Sequence, residues 1–197
     1  MNATDAIPPS SGAGSGDPDG AADGVELVQL RDGSTVTVRP ASGQDEPALR
    51  SFLSGLCPEA RRLRFFTGAA NIAYAARLAA AADPKHRGLI AHDEAGTIVG
   101  HATYVQLDET RAEVAVEVAD QLHGRGLGTI LIERLAATAE EQGITHFVAE
   151  VLPDNHEMLD VFRDGFDAHL AFHNGTDAVE FPTASWRLAR ERFSAGA

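Results

Sequence analysis

The chain of 197 residues contains a single cysteine, Cys57. One thiol excludes a disulfide framework and any Cys-x-x-Cys metal site. The eight histidines, at positions 86, 92, 101, 123, 146, 156, 169 and 173, are scattered and form no His-Glu-x-x-His pair, so no catalytic metal is expected. No apolar run approaches the roughly 18 residues that a membrane span requires. Residues 1–20 lack the basic and apolar stretches of a secretory signal, and the chain is expected in the cytoplasm. Positive charge is scarce too: 16 Lys and Arg stand against 29 Asp and Glu, a net charge of −13. Nucleic-acid binding rests on clustered cations that release phosphate counterions, so neither a nucleic acid nor an anionic membrane is an expected partner. A negative surface does suit a basic substrate or partner.

What is present is the composition of an ordinary globular domain, 44% hydrophobic and 23% charged, at a length that fits one domain. Residues 1–24 stand apart. Gly, Pro, Ser, Ala and Asp fill 20 of these 24 positions, too little apolar surface to offset the entropy of ordering, and a disordered tail is expected there. The folded domain is expected over 25–184, with a short helix or tail over 185–197.

Residues 25–30 and 35–39 read as a hairpin around Asp32-Gly33, with Pro40 ending its second strand. Ser42, Asp45 and Glu46 mark the first turn of a helix through Leu53. Residues 58–82 read as a helical, Ala-rich, amphipathic stretch. Strands are expected over 88–93, 97–107, 112–118 and 144–152, and around 166–182. In the third of these Val114, Val116 and Val118 share one face, and Glu113, Ala115 and Glu117 the other. Helices are expected over 127–142, closed by Gly143, and from Asn155 to about Asp164. The order implies a mixed α/β (α+β) fold whose sheet is largely antiparallel.

The densest chemical signal is Gln121-Leu122-His123-Gly124-Arg125-Gly126-Leu127-Gly128-Thr129, between a strand and a helix. Glycines let the backbone turn tightly and approach a ligand closely. The helix start points unpaired N–H groups and the positive end of its dipole into the turn, which suits a phosphate or pyrophosphate. The dinucleotide fingerprint fails on spacing, because its third glycine slot holds Thr129, and no lysine precedes Thr129 as a P-loop requires. A glycine-rich connector without a ligand is the alternative.

Residues 123–143 resemble the acyl-CoA pyrophosphate loop and following helix of the GNAT acetyltransferase superfamily, with His123 in the family's Arg/Gln slot. Further segments occur in family order: 30–33, 38–40, Leu63-Arg64-Phe65-Phe66, 112–116 and 147–155 with Met158-Leu159. Together, over 26–182, they resemble the bacterial Pat-type protein-lysine acetyltransferases. The resemblance implies a single GNAT domain that transfers an acetyl group from acetyl-CoA, without a metal, to a lysine ε-amine of a protein. Acyl-CoA synthetases are the natural acceptors by family analogy. An enzyme acting on a small amine or amino acid, and a CoA-binding module without turnover, are the other readings. Relatives often carry a fused sensor domain. About 24 residues ahead of the domain leave no room for one, so regulation is expected to be absent, oligomeric (monomer or dimer) or mediated by a separate partner.

The resemblance also implies roles. Glu113 is the general base, acting through water; on pattern alone a strand glutamate faces solvent. Glu117 lies on the same face, about 13 Å along the strand at ~3.3 Å per residue, and is expected to flank the cofactor. The backbone of Val116, Glu117 and Val118 pairs with the pantetheine arm. His123, Gly124, Arg125, Gly126, Leu127, Gly128 and Thr129 hold the pyrophosphate. Asn155 contacts the cofactor, where an N-cap role serves equally, and Arg163 reaches the 3′-phosphate unless it is a solvated surface arginine. Phe162 stands where many relatives carry a tyrosine general acid, so solvent is expected to protonate the departing thiolate. Leu63, Phe65 and Phe66 are expected in the core, and Cys57 is expected to be a small apolar residue rather than a nucleophile.

Overall fold

The computed structural model describes residues 24–66, 71–81 and 85–195. The expected tail lies outside these, Gly24 excepted. The β-branched run Thr35-Val36-Thr37-Val38 opens β2 (Thr35–Pro40), which forms a hairpin with β1 (Glu26–Gln29) and pairs Val28 with Val36. Three helices follow: α1 (Glu46–Gly55), α2 (Pro58–Phe65) and α3 (Ile72–Ala79). Residues 58–82 are therefore two helices rather than one stretch. α2 ends at Phe66, whose φ of 59° is left-handed, and α3 restarts under an N-cap at Asn71. Then come β3 (His86–His92), β4 (Ile98–Gln106), β5 (Arg111–Val118), α4 (Leu127–Glu141), β6 (His146–Val151), α5 (His156–Asp160), β7 (His169–His173), β8 (Thr176–Pro182) and α6 (Trp186–Ala195).

The eight strands form one sheet in the order β1-β2-β3-β4-β5-β6-β8-β7. Every neighbouring pair is antiparallel except β5 and β6. Alternation along each strand sorts side chains onto two faces. Leu89, Ala102 and Val114 lie in a core with α4 residues Leu127, Ile130, Leu131 and Leu135. Ile90 and Ile98 lie in a second core with Leu49 and Leu53 of α1 and Ala76 and Ala79 of α3. α4 comes very close to the sheet at Gly100, where a Cβ would stand 3.0 Å from Leu127 and 3.1 Å from Leu131. The missing side chain lets the first turns of α4 settle onto β4.

An aromatic cluster fills the other end of the α4-side core. Phe181 meets Phe147, Phe162 and Phe166 at centroid distances of 5.8, 5.4 and 5.1 Å. The C-terminal residues set apart on sequence begin with α6, and Trp186 at its start packs against this core and donates to Glu140 Oε2 at 2.8 Å. No helix among the described residues is long and apolar enough to cross a membrane.

The entry to α1 is locked to the sheet by Asp45. Its Oδ2 accepts from the Ser42 N–H at 2.8 Å and from the Ser42 hydroxyl at 3.0 Å. Arg39 of β2 grips the same carboxylate with bonds of 2.6 and 2.9 Å. These bonds, Arg39's foremost, hold the Asp45 carboxyl down at about 2. Asp45→Asn is expected to lower stability by about 1–2 kcal/mol at neutral pH in urea unfolding, a charge-assisted bond discounted for partial exposure. The folded-state value lies below the ordinary 3.8, so the ionised form carries the stabilisation. The deficit of the variant should therefore be full above about pH 5 and shrink as pH falls through about 2. A deficit that does not change with pH would contradict the ion pair.

Candidate active site

β5 and β6 pair over only three positions, Arg111↔His146, Ala112↔Phe147 and Glu113↔Val148. Beyond them both strands continue, β5 to Val118 and β6 to Val151, but apart. The Ala119 N–H donates to Val99 O at 2.8 Å, which fixes the phase of the β4–β5 ladder. Residues 113, 115 and 117 thus turn their backbone groups to β4, and Val114, Val116 and Val118 turn theirs to the gap. Val116 and Val118 sit where the sequence puts an open edge. Glu117 does not: its amide and carbonyl belong to the β4 ladder, a correction to its grouping with the two valines. The gap opens into a cavity of about 970 Å³.

The glycine turn closes one end of this cavity. Gly124 and Gly126 adopt φ of 72° and 88°, conformations that L side chains resist, and Gly126 caps α4 with no side-chain bond. The amides of Leu127, Gly128 and Thr129 therefore have neither an intrahelical partner nor a capping side chain, and all three residues line the cavity. His123 reaches across the mouth. Its Nε2 lies 3.0 Å from Val118 O and its Nδ1 3.2 Å from Glu157 Oε2. Arg125 leaves the cavity, because its Nη1 donates to Asp32 Oδ2 at 2.5 Å on the β1–β2 turn. Its contribution to the turn is backbone, and its O accepts from the Arg31 N–H at 3.1 Å.

Glu113 is exposed within the cavity, on the sheet face covered by α2. Arg64 of α2 lies in its electrostatic range and lines the same cavity. The Arg64 Nε donates to Glu117 Oε1, and the other carboxylate oxygen of Glu117 lies 2.8 Å from His101 Nδ1. Burial, and secondarily the Arg64 cation, push the His101 imidazole down to about 3. Burial also pushes Arg64 down, to about 10, against the opposing pull of Glu113. Glu117 thus shares the cavity with Glu113 and is buried in a guanidinium–carboxylate–imidazole cluster. Arg64 and His101 drew no functional attention on sequence. Arg64 could have been found in the Leu-Arg-Phe-Phe segment; His101 carries no local signal, since its partner lies on another strand. Of the three expected core residues in that segment, Phe65 packs against the α1–α3 core, Leu63 lines the cavity and Phe66 is exposed.

On the far wall Asn155 caps α5, accepting from the Met158 N–H at 3.3 Å, and also lines the cavity. α5 runs into a π-helical turn over Val161–Gly165. In this wider turn Phe162 points into the aromatic cluster at the cavity wall and has no proton to give. Arg163 points outward and bonds Asp160 Oδ1 at 3.3 Å, away from the cavity lining, which corrects its expected place at a phosphate. The Cys57 thiol caps α2, accepting from the Ala60 N–H at 3.3 Å. Among the described residues no group of three or more His, Cys, Asp or Glu could hold a metal ion.

A sheet parted at its one parallel pair, beside an uncapped helix start, has the geometry to receive an elongated ligand along a strand edge and an anion at the turn. The chain belongs to the acetyltransferase (GNAT) family, whose model matches residues 57–166. It is 38% identical over 65 residues to the acetyltransferase Pat of Mycolicibacterium smegmatis, a match covering 32% of this chain and 20% of that protein. An acetyltransferase of Pseudomonas aeruginosa is 29% identical over 142 residues, 68% of this chain and 76% of that one. The GNAT domain of S. lividans PAT superposes with a TM-score of 0.73 at 33% identity, covering 80% of this chain and 96% of that domain.

The turn makes opposite demands at two of its glycines. Gly126→Ala, at φ 88°, is expected to cost about 1–2 kcal/mol of stability. Gly128→Ala, already helical and 3.8 Å from its nearest neighbour, should stabilise by up to ~1 kcal/mol. Chemical denaturation of both variants checks the contrast, and equal effects would contradict the left-handed cap.

Proposed function

We propose that the chain is a cytoplasmic enzyme that transfers an acetyl group from acetyl-CoA to a lysine ε-amine of another protein, with acyl-CoA synthetases the first acceptors to try. The observation that carries the reading is the continuous path from the α4 start, along the open edge of β5, to Glu113. The donor set fits such a cofactor. Free amides at the α4 start suit a diphosphate, and the backbone groups of Val116 with the N–H of Val118 suit a pantetheine arm laid like an added strand. The resemblance of the 63–66 and 147–155 segments to Pat-type protein-lysine acetyltransferases is the support for a protein acceptor, and the chain's likeness to Pat and to the GNAT domain of S. lividans PAT agrees with it.

When bound, acetyl-CoA supplies the thioester whose carbonyl carbon the amine attacks. A free lysine titrates near 10.4, so the amine must lose a proton on the enzyme. Glu113 takes that proton through a water, being exposed in the cavity rather than locked in an ion pair of its own face. The wall holds Phe162 in place of a hydroxyl donor, so the leaving sulfur is protonated by solvent.

Labelled acetyl-CoA incubated with a panel of acyl-CoA synthetases and free amines tests this. Lys85 is the chain's only lysine, which limits self-labelling. Label on protein lysines is expected, and Glu113→Gln should lose about 10²–10⁴ in rate. Undiminished transfer by the variant would remove Glu113 from its role, and label confined to small amines would replace the protein acceptor.

A further inference from the structure

The face of β5 that carries Glu113 carries a second carboxylate to which the mechanism gives no task. The Glu117 side chain is only 4% exposed and holds two partners, Arg64 and His101. Burial keeps the His101 ring neutral, so its Nδ1–H donates to Glu117 without balancing its charge. That balance falls to Arg64. Arg64 is also the arginine of the cavity lining that lies on the Glu113 face; Arg31, the other, is tied by its backbone to the glycine turn. Behind Arg64 and Glu117 a smaller cavity of about 200 Å³ opens under α3, so this pair forms a wall between two spaces.

Glu113 points to the α2 face, and Arg64 on that face lies in its electrostatic range, so a carboxylate carried by an acceptor at Glu113 falls within the field of the Arg64 cation. An arginine fork is the natural reader of a carboxylate. Here its Nε is already engaged by Glu117, and a ligand carboxylate would meet two glutamates for one guanidinium. We propose that Glu117 is a specificity-determining residue: by holding Arg64 in an ion pair, it excludes acceptors with a carboxylate close to the amine and favours an amine without one, such as a lysine side chain inside a polypeptide. The proposal rests on the function proposed above.

The test removes the charge and keeps the shape. In Glu117→Gln the side-chain oxygen still accepts from His101 while Arg64 is released. Transfer is measured for two matched acceptor pairs, phenylalanine with 2-phenylethylamine and tyrosine with tyramine. The ratio of kcat/KM for the carboxylate-bearing member to that for its partner is expected to rise tenfold or more in the variant. Adding Arg64→Gln should abolish the gain, which a structural effect of residue 117 would not do. A ratio within twofold of the parent's in the folded variant overturns the proposal. Should Glu117→Gln fail to fold, Glu117→Met, of similar volume and uncharged, takes its place. Calorimetric titration with phenylalanine reads the same site without turnover, and tenfold tighter binding by the variant is expected. Tighter binding with no transfer to any amine would mean that the proposed function is wrong and the charge assignment right. Transfer with no change in ratio or binding would mean the reverse, and absence of both would sink the two together.

Discussion

The unpaired edge of β5 is the constraint on which the molecule is organised. Inside a sheet each strand expects a partner on both sides, and backbone groups left without one in a buried place are costly. Here β6 abandons β5 after Glu113, and the edge from Val114 to Val118 is left to line a cavity. The surroundings keep that gap from closing. The aromatic cluster of Phe147, Phe162, Phe166 and Phe181 anchors β6 and β8 on one side. On the other side α4 is set down onto β4 at Gly100, which points the start of the helix at the gap.

A chain with a net charge of −13 has few cations with which to draw an anion to its cavity. What it offers there is backbone. The glycine turn puts three amides and the positive end of α4 into the cavity, while Arg125 inside the same turn is used to pin the β1–β2 hairpin. The opposite face of β5 runs on side-chain charge, with two glutamates four residues apart and one arginine between them. The two ends of the cavity are therefore opposite in charge, partly positive at the turn and carboxylate-bearing at Glu113.

Much of this was legible along the chain because it depends on local periodicity. The alternation from Glu113 to Val118 gave the strand and its two faces, and the glycines of 124–128 marked the turn and the helix start. Less was legible where a contact distant in sequence overrides local preference. The Ala-rich stretch after Pro58 satisfies a helix throughout, yet the chain breaks at Phe66 so that α2 can lie over β5 while α3 packs under β3. The turn after Asp160 widens, and Arg163 ends on the outside.

The order of elements, the antiparallel bias and the phosphate-type turn follow from residue spacing alone, since helices, strands and tight turns are decided by neighbours within a few residues. Which of two glutamates on one strand face is free to react is a different matter. Glu113, between Ala112 and Val114, and Glu117, between Val116 and Val118, have the same residue type and lie on the same face. Only the folded chain brings Arg64 from α2 and His101 from β4 onto Glu117 and leaves Glu113 open to the cavity. Charge pairing acts through space, and the space between these elements exists only once the sheet has formed.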